Sequence, residues 1–118
     1  RRDLLELHAR TRVAVRLGLT TTLTMLIGTD LQLWAERACP NVALTLVEAP
    51  SFSLVDAVGR GDLDVALAYD VEASPGLERV PVLNEDLVFV AKPGFVAVGT
   101  DLTLARVCAS RLAVGAAR

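Results

Sequence analysis

Three consecutive threonines, Thr20, Thr21 and Thr22, are the residues in this chain that most suggest a binding site. They follow an apolar run that predicts a strand, and they open a stretch with helical patterning. The first turn of a helix has unpaired backbone N–H groups and the positive end of the helix dipole. Hydroxyls added at this point favour an anion or another polar ligand. Capping of the helix explains one threonine but not three.

A second polar loop follows the next predicted strand. Pro50, Ser51, Phe52 and Ser53 stand between that strand and the next predicted helix. One of the two serines is expected to be an N-cap. Two serines beside an aromatic ring also make a pocket wall, so we expect this loop to line the same site as the threonines.

The third predicted strand ends at Tyr69 and Asp70. Asp70 either starts the following loop or lies at the ligand site, where a carboxylate would repel an anion or bind an amine. The stretch "GLTTTLT" is neither a dinucleotide fingerprint nor a P-loop. These residues therefore favour a small polar or carboxylate ligand over a nucleotide.

Strands and helices alternate in the part of the chain that must position these residues. Strands are predicted at residues 13–19, 42–49 and 63–69, with helices at 22–39 and 53–58 between them. Strands that are apolar almost throughout are typical of a parallel sheet covered on both faces. Right-handed crossovers place the first strand between the other two. In such sheets, ligands bind at the carboxyl ends of the strands.

Further elements are predicted on either side of this core. A short helix is predicted at residues 4–10, ahead of the first strand. Two strands are predicted at 77–83 and 86–91, a short helix at 102–109, and a last strand at 111–115.

Composition excludes several classes of protein. The 118 residues are 53% apolar, enough for one domain with a core, and the net charge of −2 argues against a nucleic-acid-binding face. No apolar run is long enough to span a membrane, and "RRDLLELHARTR" contains no signal-peptide core. The spacing of Cys39 and Cys108 is not that of metal ligands, and the sequence is compatible with a single disulfide between them. We predict a cytoplasmic protein with no metal site and no cofactor.

The chain resembles the effector-binding domain of LysR-type transcriptional regulators. The stretch "VAVRLGLTTTLT" resembles the family's first strand and its Ser/Thr-rich ligand loop. The stretch "LVDAVGRGDLDVALAY" resembles the segment in which a helix ends in glycine and an Asp-containing turn opens strand 3. The stretch "PGLERVPVLNEDLVFVAKPG" resembles the following pair of strands, and here the chain is most similar to regulators of nitrogen and sulfur assimilation. Cys39 departs from the family, which has an aromatic residue there.

The resemblance implies an α/β fold of the periplasmic-binding-protein-like type II class, with a parallel-rich sheet and helices on both faces. The chain would be an incomplete domain: the end of a linker helix at residues 1–12, a first subdomain at 13–112, and the start of a hinge at 113–118. The threonine loop and the loop from Pro50 to Ser53 would contact a small polar or anionic effector. A separate winged helix-turn-helix would bind DNA.

The long predicted helix has more apolar surface than contact with one sheet requires. One face, which includes Gly28 and Ala35, suits contact with the sheet. A helix that is apolar around so much of its girth is usually buried on two sides. The second side would contact the rest of the domain or another subunit, and the family's antiparallel dimer implies the latter, as a homodimer or homotetramer. This second face is made of Leu23, Leu26, Asp30, Leu33, Trp34 and Arg37.

Two other classes of protein stay open. A periplasmic solute-binding protein shares the architecture and would require an export signal. An enzyme would require a general base or nucleophile in the cleft. The single histidine, His8, lies in the leading predicted helix, and neither cysteine has a nearby base in the sequence. No catalytic residue is therefore predicted.

Overall fold

The computed structural model of the protein describes residues 11–96, 99 and 101–114. These residues form two compact units, the first ending at Arg79 and the second beginning at Val80. The predicted helix at residues 4–10, with His8, lies outside the described residues, as do residues 115–118 of the predicted hinge. The predicted domain limits at 1–12, 13–112 and 113–118 stay predictions.

The first unit has the predicted alternation of strands and helices. In chain order the elements are β1 (Val13–Leu19), α1 (Thr21–Ala38), β2 (Val42–Glu48), α2 (Ser51–Arg60) and β3 (Val65–Leu67). The sheet is parallel with the order β2-β1-β3, so the predicted central position of the first strand is confirmed. The carboxyl ends of all three strands therefore lie at one edge, where α1 and α2 begin.

The two helices cover opposite faces of the sheet. On one face, a Cβ added to Gly18 of β1 would lie 2.6 Å from Leu54 of α2. On the other face, Leu46 of β2 lies against Gly28 of α1. Side chains alternate along a strand, and Leu46 is the register partner of Leu17, the neighbour of Gly18. The expected covering of both faces is confirmed.

β3 is shorter than the predicted strand at 63–69 because backbone groups at both ends are bonded elsewhere. The N–H groups of Asp62 and Leu63 donate to the Ala57 carbonyl and close the end of α2. This end turns at Gly61, whose φ of 78° is a left-handed conformation that favours glycine. At the other end, the Tyr69 N–H donates to the Ser51 hydroxyl.

The second unit corrects three predicted strands. The described parts of residues 77–83, 86–91 and 111–115 contain no strand. A strand requires a neighbour that pairs with its N–H and C=O groups, and no described segment pairs with these. Leu87, Val88 and Val90 are exposed as a result. The predicted short helix is present as α3 (Leu104–Cys108), where the Thr103 side chain accepts from the Arg106 N–H.

Candidate functional site

Hydrogen bonds tie each predicted ligand loop to the end of a neighbouring strand at the carboxyl edge of the sheet. The Thr21 hydroxyl, at the start of α1, donates to Glu48 Oε1 at the end of β2, at 2.9 Å. The Ser51 hydroxyl, at the start of α2, accepts from the Tyr69 N–H beyond β3, at 3.0 Å. The Ala49 N–H donates to the Leu19 carbonyl at 3.2 Å. The structure thus brings both loops and the end of β3 to one edge.

Thr20 occupies the N-cap position of α1 but does not cap the helix with its side chain. Its φ of −70° and ψ of 160° are those of an extended residue, and its hydroxyl bonds no N–H of the first turn. The residue is 8% exposed, and Oγ1 is buried without a hydrogen-bond partner among the described residues. The expectation that a threonine caps this helix is therefore wrong. An unmade hydrogen bond of a buried hydroxyl costs about 1–3 kcal/mol.

The other two threonines of the loop differ in what they bond. Thr21 is exposed, and its hydroxyl is bonded to Glu48. Thr22 is also exposed, and its hydroxyl has no hydrogen bond to any residue that the structure describes. Thr22 is therefore the threonine whose hydroxyl a ligand can reach without displacing a protein contact.

The second loop also lacks a side-chain cap. Pro50, not a serine, is the N-cap of α2, and no side chain bonds the first-turn N–H groups. Ser51 is engaged by the Tyr69 N–H. Ser53 is half-buried and has no hydrogen bond to a described residue, and Phe52 is 46% exposed. The expected N-cap role of one serine is therefore wrong.

Backbone N–H groups at the starts of α1 and α2 give this edge a positive potential. The first three N–H groups of each helix have no acceptor within the helix. In α1 these belong to Thr21, Thr22 and Leu23, since the Thr24 N–H is the first to reach a helical acceptor, the Thr20 carbonyl. Neither helix has an acidic residue in its first turn. The edge can therefore bind an anionic or polar group.

Two carboxylates stand at the same edge, and sequence reasoning missed one of them. Glu48 is the last residue of β2. It was not predicted as a site residue, although its position at the carboxyl end of a predicted strand made it a candidate for the site. Asp70 follows β3 with a φ of 47°, a conformation that is uncommon outside glycine. No salt bridge among the described residues involves either side chain.

A separate polar cluster fixes the opposite end of β3. The Arg16 N–H donates to Asp64 Oδ2 at 2.7 Å, and the Arg16 guanidinium bonds both the Asp64 carboxylate and the Gly61 carbonyl. These hydrogen bonds, the backbone one first, hold the pKa of Asp64 below its usual range. The cluster links β1, the end of α2 and the start of β3, so its role is structural.

The second face of α1 is exposed. Leu26 is 65% exposed, Leu33 45% and Trp34 59%, while Leu23 is half-buried. Asp30 and Arg37 are exposed beside them. Along the same helix, Gly28 and Leu33 line an open groove of about 360 Å³ with Leu46 of β2. Within the described residues, nothing covers this face.

The described residues contain neither a cluster of metal ligands nor a membrane-spanning helix. No group of histidine, cysteine and acidic side chains in that part of the chain could hold a metal ion. None of its helices is long and apolar enough to cross a bilayer.

Comparison with known proteins identifies a family and a curated relative with a described role. The family model described as "LysR substrate binding domain" matches residues 8–116. A protein of Mycobacterium xenopi described as "Probable hydrogen peroxide-inducible genes activator" is 37% identical over 82 residues. The match covers 69% of this chain and 43% of that protein, so the chain spans less than half the length of its relative. The narrower similarity to regulators of nitrogen and sulfur assimilation stays a prediction.

Proposed function

The chain belongs to the LysR substrate binding domain family, and from this premise we propose that it senses a small polar or anionic effector for a LysR-type transcription factor. The family confirms the resemblance noted in the sequence and the periplasmic-binding-protein-like fold class. It does not favour the alternative, a periplasmic solute-binding protein. The relative described as an activator agrees with a role in transcription regulation.

The observation that carries the proposal is the set of unsatisfied polar groups at the carboxyl edge of the sheet. Thr20 Oγ1 is buried without a partner, and the exposed Thr22 hydroxyl is unbonded among the described residues. The unpaired N–H groups that begin α1 and α2 lie at the same edge. We assign effector contacts to the threonine loop and to the second loop, that is, to Thr20, Thr21, Thr22, Pro50, Ser51, Phe52 and Ser53.

In this proposal the domain senses and a different domain binds DNA. The effector binds between this unit and a second subdomain, and closure about the hinge at residues 113–118 changes how subunits contact each other. DNA is bound by a winged helix-turn-helix, and the net charge of −2 here agrees with that division. The protein works in the cytoplasm, without a cofactor and without catalysis.

The proposal includes self-association through the second face of α1. Its large apolar side chains, Leu26, Leu33 and Trp34, are exposed in the described unit. Asp30 and Arg37 at the same face suit an interface between subunits better than a dry core. The interface residues proposed are Leu23, Leu26, Asp30, Leu33, Trp34 and Arg37.

The threonine loop can be tested by separating effector binding from stability. Small polar and anionic metabolites are screened against the full-length protein, and the affinity of each compound that binds is measured for Thr22→Ala and Thr20→Val. Thr22→Ala should weaken binding about ten-fold, because a hydrogen bond to a charged group contributes about 1.5–3 kcal/mol. Thr20→Val should weaken binding without lowering the free energy of unfolding, because it removes a buried hydroxyl that bonds nothing.

Thr45→Ala is the matched control, since Thr45 is exposed on β2, three residues before the strand ends, and belongs to neither loop. This variant should leave affinity unchanged. Affinity that stays within two-fold of wild type in both Thr20→Val and Thr22→Ala would place the effector site elsewhere.

A further inference from the structure

The ends of β2 and β3 place a carboxylate on each side of the threonine loop. Glu48 ends β2, and Asp70 follows β3 three residues after its last residue, Leu67. Because β1 lies between these strands, the two acids flank the turn that leads from β1 into α1. Both side chains are exposed. The proposed effector site therefore has negative groups at its rim.

Neither carboxylate forms a salt bridge with a described residue. The salt bridges found there are Arg16–Asp64 and Arg60–Asp62, and neither involves the site. Arg79 is the first basic residue in the loop after β3, and its guanidinium hydrogen-bonds the Val71 carbonyl. Glu48 is engaged through Oε1 alone, by the Thr21 hydroxyl, which leaves Oε2 without a described partner.

These charges impose opposite demands on a ligand. The unpaired N–H groups that begin α1 and α2 attract an anionic group. Glu48 and Asp70 repel the same group, and they attract a cation. The helix starts attract a purely anionic molecule, but the two carboxylates repel it. A molecule with an ammonium group beside its anionic group is attracted by both.

A second observation, independent of the helix starts and the acids, indicates a ligand at this point. Thr20 is more than nine-tenths buried at the N-cap of α1, and its Oγ1 bonds no described residue. Buried hydroxyls in folded proteins almost always have a partner. Thr20 is the N-cap residue of α1, yet its hydroxyl bonds none of the first-turn N–H groups.

We propose that the effector is zwitterionic, of the α-amino acid class, with its carboxylate at the helix starts and its ammonium group at Glu48. This inference rests on the proposed function, because it names the ligand class of the same site. Glu48 is then the residue that selects an amine, and Asp70 supplies a second negative charge on the other side of the threonine loop. The ammonium group donates to the Glu48 carboxylate, whose Oε2 is open to a ligand.

The test compares pairs of ligands that differ only in the amine. The full-length protein is titrated by calorimetry with α-amino acids and with the α-hydroxy acids of the same side chain, such as alanine against lactate and serine against glycerate. Each compound is tested up to about 10 mM, which detects even weak binding. At least one amino acid should bind about ten-fold or more tightly than its hydroxy acid.

Glu48→Gln should abolish the preference for the amino acid over the hydroxy acid, while the site still binds the hydroxy acid. It keeps an acceptor for the Thr21 hydroxyl but removes the charge, so binding of the amino acid should weaken about ten-fold. Binding of the hydroxy acid should be unchanged or tighter, because a repulsion is removed. Glu36→Gln removes the same charge from an exposed position on α1 and should leave both affinities unchanged.

The possible failures are distinguishable. Hydroxy acids that bind wild type as tightly as their amino acids would overturn the zwitterion inference, and so would an absence of binding by every amino acid. If the hydroxy acids bind and Thr22→Ala weakens them, the proposed effector site stands while its assigned ligand class is wrong. If Thr22→Ala and Thr20→Val leave all affinities unchanged, the proposed site itself is wrong.

Discussion

For Thr20, the sequence predicts the position of the residue but not the hydrogen bonding of its hydroxyl. Its position before a helix predicts an N-cap, and the structure places it there. Whether its hydroxyl bonds the first turn depends on a single side-chain rotation, which no sequence pattern specifies. Glu48 was missed for a related reason: its bond to Thr21 joins residues 27 positions apart. At this scale the sequence indicates which residue types gather at the edge, but not which hydrogen bonds form.

Asp64 gives a prediction about pH. Its pKa is lowered in the folded protein, first by the Arg16 N–H and then by the Arg16 guanidinium. A carboxyl with a lowered folded pKa stabilises the protein above its ordinary pKa, and this contribution is lost as the pH falls through the folded pKa. Asp64→Asn should therefore lower the free energy of unfolding near neutral pH and flatten its decline on acidification.

Urea unfolding at neutral pH and at about pH 3 measures both effects. Asp56→Asn is the control, since Asp56 is exposed on α2 and forms no salt bridge with a described residue. A decline on acidification as steep in Asp64→Asn as in wild type would show that the Arg16 cluster does not stabilise the folded state.

Elements of the first unit were predictable because their signals are local. Apolar runs punctuated by Pro40 and by the glycine at position 61 fix the three strands and two helices to within a few residues. The strands predicted at 77–83 and 86–91 have the same apolar character but are absent. Such a pattern shows that a segment suits a sheet, whereas a strand also requires a neighbour with free N–H and C=O groups.

Gly18 tests how closely α2 packs on the sheet. A Cβ at this position would lie 2.6 Å from Leu54 Cδ2 and 2.7 Å from Leu63 Cδ1, both closer than van der Waals contact. Leu54 and Leu63 are core residues, so neither moves freely. Gly18→Ala should lower the free energy of unfolding by about 1–3 kcal/mol, as overpacked cores do.

Gly59→Ala is the matched control for this substitution. Gly59 lies inside α2, and a Cβ there meets nothing within 4 Å. Alanine is favoured over glycine in a helix by about 1 kcal/mol, so this variant should be more stable than wild type. Equal stability of Gly18→Ala and wild type in urea unfolding would show that α2 can shift without cost.

At the scale of the whole molecule, the amount of exposed apolar surface is the main feature to explain. The core of the described first unit is small, with Leu19 and Leu54 its only fully buried large side chains. On α1, by contrast, Leu26, Leu33 and Trp34 are substantially exposed. Large exposed patches on soluble proteins usually mark an interaction surface. Acidic and basic side chains at the same face, Asp30 and Arg37, fit a contact between protein subunits.

Trp34→Ala should therefore weaken self-association while leaving the fold intact. Tryptophan is among the residues that contribute most to interfaces, commonly 2 kcal/mol or more, which is about a thirty-fold change in dimer affinity. Trp34 is 59% exposed, so its loss should change the free energy of unfolding of the monomer little.

Sedimentation equilibrium on this chain alone measures the dimer dissociation constant without association through other domains. Met25→Ala, on α1 outside the second face and 81% exposed, should leave the dimer unchanged. A wild-type chain that stays monomeric at about 100 μM, or equal dissociation constants for the two variants, would exclude α1 as the interface.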